Sequence, residues 1–166
     1  DYHQRIYDLA REGANQIAAR FEADIDQGRV SLEDLFDRNY QAIRNTSPPK
    51  FQTRFDRYTD QVLPAIQEPL LPRHEGLVFA IACTQQGYVP THNTVFCQPL
   101  TGDTQVDTLQ NRTKRKFADR TGIRCGSHQH PVLLQTYTRD TGELMHDLSV
   151  PIILKGRHWG GLRLGY

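Results

Sequence analysis

The longest regular pattern opens the chain: Ile6, Leu9, Ala10, Gly13, Ala14, Ile17, Ala18, Phe21 and Ile25 recur at steps of three and four. That period marks one face of an amphipathic helix. Gly28 suits its C-terminal cap, so a long helix is expected over residues 1–28, about 40 Å long at 1.5 Å per residue. Ala10, Gly13, Ala14, Ala18 and Ala19 keep it slim, which would let a second helix come close. Past Val30 the apolar runs shorten. Ser31 and Asp34 stand at capping-box spacing, with Val30 and Leu35 placed as a hydrophobic staple. Beyond the loop Asn45-Thr46-Ser47-Pro48-Pro49, Ser47 and Pro48 read as the N-cap and first position of another helix. Its face would be Phe51, Phe55, Tyr58, Val62 and Ile66, and Pro64 kinks or ends it. Pro69 and Pro72 close a region of short helices over 31–72.

From Leu77 the composition turns to β-formers. Leu77 to Thr84 reads as a strand that turns at Gln85-Gln86-Gly87 into Tyr88-Val89-Pro90-Thr91. The last third reads as three strands: Val132 to Arg139, Leu144 to Leu154, and His158 to Tyr166. Turns are expected at Asp140-Thr141-Gly142 and Lys155-Gly156-Arg157. Between the second and third strands lies an excursion, His92 to His130. There Thr104 to Thr121 has helical composition, with Val106, Leu109 and Phe117 as buried positions and Gly122 as its stop. The expected fold is α+β: a five-stranded antiparallel sheet preceded by a long N-terminal helix, a helical insert between strands 2 and 3, and helices on one side. The sheet with its insert spans 77–166. At 166 residues the chain is expected to be one domain, 1–166, able to bury a core without disulfides or metal.

The formal charge is +1, which points to neither nucleic acid nor an acidic partner surface. No run approaches the eighteen or so apolar residues that a membrane span requires. The first residue is Asp, so the chain is expected to be part of a longer one. Three cysteines, Cys83, Cys97 and Cys125, are widely spaced and fit neither a disulfide framework nor a C-x-x-C motif. Cys83 reads as a small core hydrophobe. Free thiols favour a cytoplasmic side, with a periplasmic one as the alternative and one bridge left open.

Several segments together resemble a known family. They are Gly87-Tyr88-Val89-Pro90-Thr91-His92-Asn93, Asn111-Arg112, and Phe117-Ala118-Asp119-Arg120-Thr121-Gly122. Leu133-Leu134-Gln135-Thr136-Tyr137, Asp147-Leu148-Ser149-Val150-Pro151-Ile152 and Gly156-Arg157-His158-Trp159-Gly160-Gly161-Leu162-Arg163 complete the set. With the order helix, strand pair, insert and three-strand meander, they resemble the single Cache domain, a PAS-like (PDC) sensor of bacterial methyl-accepting chemotaxis proteins. The resemblance covers essentially residues 15 to 166. Thr84 stands where many relatives carry Asp, and the turn at Asp140 to Glu143 is short for the family. The resemblance implies a sensor that binds an organic acid, an amino acid or a similar metabolite between sheet and insert. It also implies a chemotaxis signalling module in the same chain and a membrane-associated parent receptor.

Residues with binding chemistry gather around that expected pocket. His92 and Asn93 follow the second strand, where they either contact ligand or cap a loop through local hydrogen bonds. The insert carries Arg112, Lys114, Arg115, Lys116 and Arg120 against Asp119. A guanidinium turned inward would clamp a carboxylate, and the alternative is a solvated basic face. Phe117 joins this group as an apolar wall. Gln135 and Tyr137 share one strand face, an amide and a phenol suited to a polar ligand or a tyrosine packed in the core. Asp147 lies inside a strand, where aspartate is disfavoured. It either meets a ligand ammonium, accepts from Trp159 or backbone, or pairs with an arginine. His158 and Trp159 read as turn and core.

His128-x-His130 lies near Cys125, but no second pair at ligand spacing completes a zinc site, and no cofactor is expected. G-x-S-x-G, a phosphate loop and paired carboxylates are all missing from the sequence, so no enzyme is expected. Nor is a nucleic-acid module, since aromatics do not interleave the basic run. The expected function is a ligand-sensing domain, with a homodimer partner through the N-terminal helix. The alternatives are a ligand-free dimerisation or docking domain and a haem- or metal-binding PAS-like sensor.

Overall fold

The computed structural model describes residues 1–138 and 142–166. Helix α1 runs Tyr2–Asp26, capped by the Asp1 carboxylate, which accepts from the His3 N–H. The short helix α2, Leu32–Leu35, starts as its capping signals indicate, with the Ser31 hydroxyl accepting from the Asp34 N–H. Ser47 and Pro48 do not start a helix. They lie in the connection of a small hairpin, β1 (Gln41–Ile43) and β2 (Lys50–Gln52). The helical region resumes later, as α3 (Asp56–Val62), α4 (Pro64–Gln67) and a 3-10 turn over Glu68–Arg73. Asp56 starts α3 by accepting from the Thr53 N–H and hydroxyl.

Strand β3 is Phe79–Thr84, and a turn closed by Gly87 N–H on the Thr84 carbonyl leads into β4, Tyr88–Val89. The insert holds a 3-10 turn (Thr94–Phe96), α5 (Thr104–Gln110), β5 (Arg115–Lys116) and α6 (Arg120–Ser127). The single helix expected over 104–121 is therefore two helices flanking a strand. Gly122 lies inside the second of them instead of stopping the first. Leu109 is exposed, and Asp107 is the buried position of α5, taking N–H and hydroxyl donors from Thr101 and Gly102.

The meander follows as β6 (Leu133–Thr138), β7 (Leu144–Leu154) and β8 (Arg157–Gly165). Arg139 and the turn residues Asp140 and Thr141 lie outside the described residues.

The main sheet has four antiparallel strands in the order β3-β8-β7-β6, not five. The strand expected second, β4, breaks off at Pro90 and pairs instead with β5, Tyr88 against Lys116 and Val89 against Arg115. Proline offers no N–H to extend a ladder. The insert strand takes the pairing positions, with Lys114 N–H on the Val89 carbonyl and Phe117 N–H on that of Gly87.

Alternation sorts the main sheet onto two faces, and each carries a helix; the expectation of helices on one side is corrected here. Ala80, Ala82, Leu148, Val150, Ile152, Leu162 and Leu164 face α1 and join Ile6, Leu9, Ala10, Ile17 and Phe21 in one core cluster. Trp159 belongs to it, its indole N–H donating to the Leu35 carbonyl at 2.7 Å. The slim stripe of α1 is consumed there: a Cβ on Gly13 would fall 2.7 Å from Leu162. Ala10, Gly13 and Ala14 thus fit the chain's own sheet, and a homodimer through this helix would have to use its polar side. The opposite face carries Phe79, Ile81, Cys83, Gln135, Asp147, Ser149 and Arg163, under α6 and the insert.

Candidate functional site

The insert does not lie flat on that second face. A half-open cleft of about 180 Å³ separates them. Its sheet side is Phe79 and Ile81 of β3, Arg163 of β8 and Tyr137 of β6, all on one face because side chains two apart share it. Its insert side is His92, Arg112, Phe117, Asp119 and Thr121. At about 30 Å³ per water, the space suits a ligand of a handful of heavy atoms.

Four residues expected from the sequence line this cleft: His92, Arg112, Phe117 and Tyr137. Phe117 is flanked by two guanidinium groups, Arg112 at 5.2 Å and Arg115 at 4.9 Å from the ring centre. Arg115 is half-buried and donates to the Thr108 carbonyl at 3.0 Å, beside the cleft but not lining it. Arg120 is exposed at the start of α6.

Asn93 is fully buried and occupied elsewhere. Its Oδ1 accepts from the Ala80 N–H at 2.8 Å, and its Nδ2 donates to Glu68 at 2.7 Å and the Ala80 carbonyl at 3.0 Å. Gln135 and Asp147 lie on the same sheet face as Arg163 but do not line the cleft. Gln135 donates to the Thr121 carbonyl at 3.1 Å. Asp147 takes Arg163 Nε at 3.0 Å and Nη2 at 2.7 Å on a single oxygen, with Arg163 Nη1 outside the pair.

Arg163 is the main residue that the sequence reading leaves out, together with Phe79, Ile81 and Thr121, while Asp119, read there only as a partner of the basic run, also lines the cleft. A signal for it exists. An arginine between Leu162 and Leu164 must face away from them, and the disfavoured strand aspartate Asp147 calls for a partner. Arg163 is almost fully buried, and its guanidinium also lies 5.3 Å from the centre of the Phe79 ring.

The charges act on His92. Burial first, then Arg112, Arg163 and Arg115, push its pKa down to about 3, so the imidazole is neutral near pH 7. Nδ1 accepts the Asn93 N–H at 2.8 Å, so the ring carries its proton on Nε2. Its edge contacts with Phe79 and Phe96 hold the ring in place. The cleft thus combines guanidinium groups, a neutral imidazole, hydroxyl groups and the Asp119 carboxylate, with Phe79 and Ile81 on its sheet side and Phe117 on its insert side. Guanidinium N–H groups can donate to an anion, and the carboxylate can accept from a hydroxyl or ammonium group.

Elsewhere, Cys83 and Cys125 are buried free thiols and Cys97 is exposed. The rings of His128 and His130 stack at 6.0 Å. Among the described residues, no group of three or more His, Cys, Asp or Glu is placed to hold a metal ion, and no helix is long and apolar enough to cross a membrane.

No family model matches the chain, and no curated protein matches it. Among solved structures, it is similar over 95% of its length to an extracellular ligand binding receptor from Desulfohalobium retbaense DSM5692. The identity is 16% and the TM-score 0.44. The chain spans 24% of that receptor's length.

Proposed function

We propose that this chain is a non-catalytic sensor domain that holds a small organic anion in the cleft between the insert and the main sheet. The observation that carries this reading is the convergence of Arg112 and Arg163 on a half-open cleft beside an imidazole that their charge helps keep neutral. A carboxylate suits a guanidinium fork, and the volume favours a compact acid over a nucleotide or peptide. Two features speak for binding over turnover. His92 is neutral and already accepts a backbone hydrogen bond, and the lining contributes no cysteine or serine nucleophile beside it. With the resemblance to Cache sensors, the reading extends to a chemoreceptor whose signalling module lies in the same chain and responds to movement of the insert. A membrane-associated parent receptor belongs to the same reading.

The test is a thermal-shift and calorimetric panel of acetate, lactate, malate and amino acids at matched ionic strength. A ligand at a hundred times its dissociation constant adds about 2.7 kcal/mol, or roughly 5–10 °C for a domain of this size. Arg112→Gln removes a charge-assisted donor and is expected to weaken binding about 10–100-fold. A panel that shifts nothing, or an Arg112→Gln variant that binds as tightly as the parent, would overturn the proposal.

A further inference from the structure

Helix α6 packs Cys125 beside Ile81, Cys83 and Val89, and polar side chains add directed bonds to the sheet. Thr121, Cys125 and His128, at steps of four and three, bring one side of the helix and its C-terminal cap to the sheet. Gln135 donates to the Thr121 carbonyl and reaches Cys125 Sγ at 3.5 Å, while His128 Nε2 lies 3.0 Å from Ser149 Oγ. The Cys125 thiol donates to Asp147 Oδ1 at 2.8 Å. The other oxygen of that carboxylate holds Arg163, and Arg163 lines the cleft. The helix sits against backbone: a Cβ on Gly126 would fall 1.9 Å from the Thr84 carbonyl oxygen. Thr121 is both a cleft residue and the first turn of this helix.

We infer that Asp147 is a positioning residue, joining the cleft guanidinium of Arg163 to the Cys125 thiol so that anion occupancy of the cleft is passed to α6. The second half of this inference rests on the anion-binding reading above. An anion that shares the Arg163 charge relieves Asp147 of part of its partner. The carboxylate then accepts more strongly from the thiol, and α6 is held more tightly. No bond is made or broken; the change is in the strength of two hydrogen bonds.

The test uses the whole chain, labelled with ¹⁵N, as the parent protein and as the Cys125→Ala and Cys125→Ser variants. Each is examined in sodium acetate and in sodium chloride at equal ionic strength. In chloride, Cys125→Ala should move the Arg163 Nε–H resonance and speed amide exchange across 123–127 several-fold. Cys125→Ser, which keeps a donor, should restore both. Cys125→Val, near in shape and without a donor, replaces the alanine variant if that one unfolds. In acetate, exchange across α6 should slow several-fold in the parent and the serine variant but not in the alanine variant.

An Arg163 resonance unmoved by loss of the thiol would overturn the positioning role, as local packing alone predicts. Acetate that shifts the cleft resonances of the parent while leaving α6 exchange unchanged would overturn the coupling. Cleft resonances unmoved by acetate and by every other acid of the panel would instead overturn the binding reading and the anion-driven half of this inference, with the positioning half judged from the chloride comparison alone.

Discussion

The two faces of the main sheet hold their helices by different balances of packing and hydrogen bonding. Under α1 lie Leu148, Val150, Ile152, Leu162 and Leu164, an apolar surface that buries Ile6, Ile17 and Phe21 completely. Such burial is non-directional and contributes about 1.5–3 kcal/mol per large side chain. Under α6 lie Gln135, Asp147, Ser149 and Arg163 beside a small apolar cluster of Ile81, Cys83, Val89 and Cys125, and directed bonds involving a thiol, an amide and an imidazole add to that packing. A face held by packing resists deformation, whereas a face held by a few polar contacts can trade partners. The cleft opens on the second face. One side of this sheet is held by a large apolar core, and the other by a small apolar cluster with directed bonds.

The largest expected effect falls on the polar face. Asp147→Ala leaves the Arg163 guanidinium buried without its carboxylate and should cost about 4 kcal/mol in chemical denaturation, as for other broken buried pairs. Replacing both partners, Asp147→Leu with Arg163→Met, should return stability to within about 1–2 kcal/mol of the parent. A double variant as unstable as the single one would show that the pair contributes net stability of its own, beyond the cost of leaving Arg163 buried without a partner.

Next comes Leu162→Ala on the apolar face, expected to cost about 3 kcal/mol through lost burial and the cavity left behind. That loss should leave anion affinity in the cleft unchanged. If the affinity falls in parallel, the two faces are not separable.

Acid should act through the cleft face. Because the folded pKa of His92 is lowered to about 3, chiefly by burial, the unfolded chain takes up a proton below about pH 6.5 while the folded chain does not. The stabilising contribution is therefore complete above about pH 7 and declines as the pH falls through that window. Between pH 7 and pH 5 it should amount to roughly 2 kcal/mol. His128 and His158, also lowered by burial, act in the same direction. Denaturation at the two pH values checks this, and His92→Gln should flatten much of the slope.

The smallest effect is expected where α1 does not reach. Leu134 on β6 is 43% exposed, and Leu134→Thr should change stability by no more than about 0.5 kcal/mol.

How much of this is legible in the sequence follows the same division. The apolar face is written in periodic residues, so the buried positions of α1 and the bounds of β7, Leu144–Leu154, can be read directly. The insert is not, because composition over 104–121 cannot register that Lys114 takes a left-handed φ of 64°. Nor can it register that β5 leaves the helical path to pair with β4. For the candidate cleft, residue type picks out His92, Arg112, Phe117 and Tyr137 of its lining, since each bears chemistry near an expected loop or strand. It assigns Asn93 to ligand when its amide instead ties Ala80 to Glu68. Arg163 stays hidden because its meaning depends on the register that sets it opposite Ile81 and two positions diagonal to Asp147.

The most direct measurement is an amide chemical-shift map of the labelled protein during titration with acetate, using chloride as the control. The expected result is saturable shifts at Ile81, Phe117, Thr121 and Arg163, with Ile6, Ala10 and Ile17 unmoved. Shifts absent from the cleft, or spread equally over the α1 face, would contradict it.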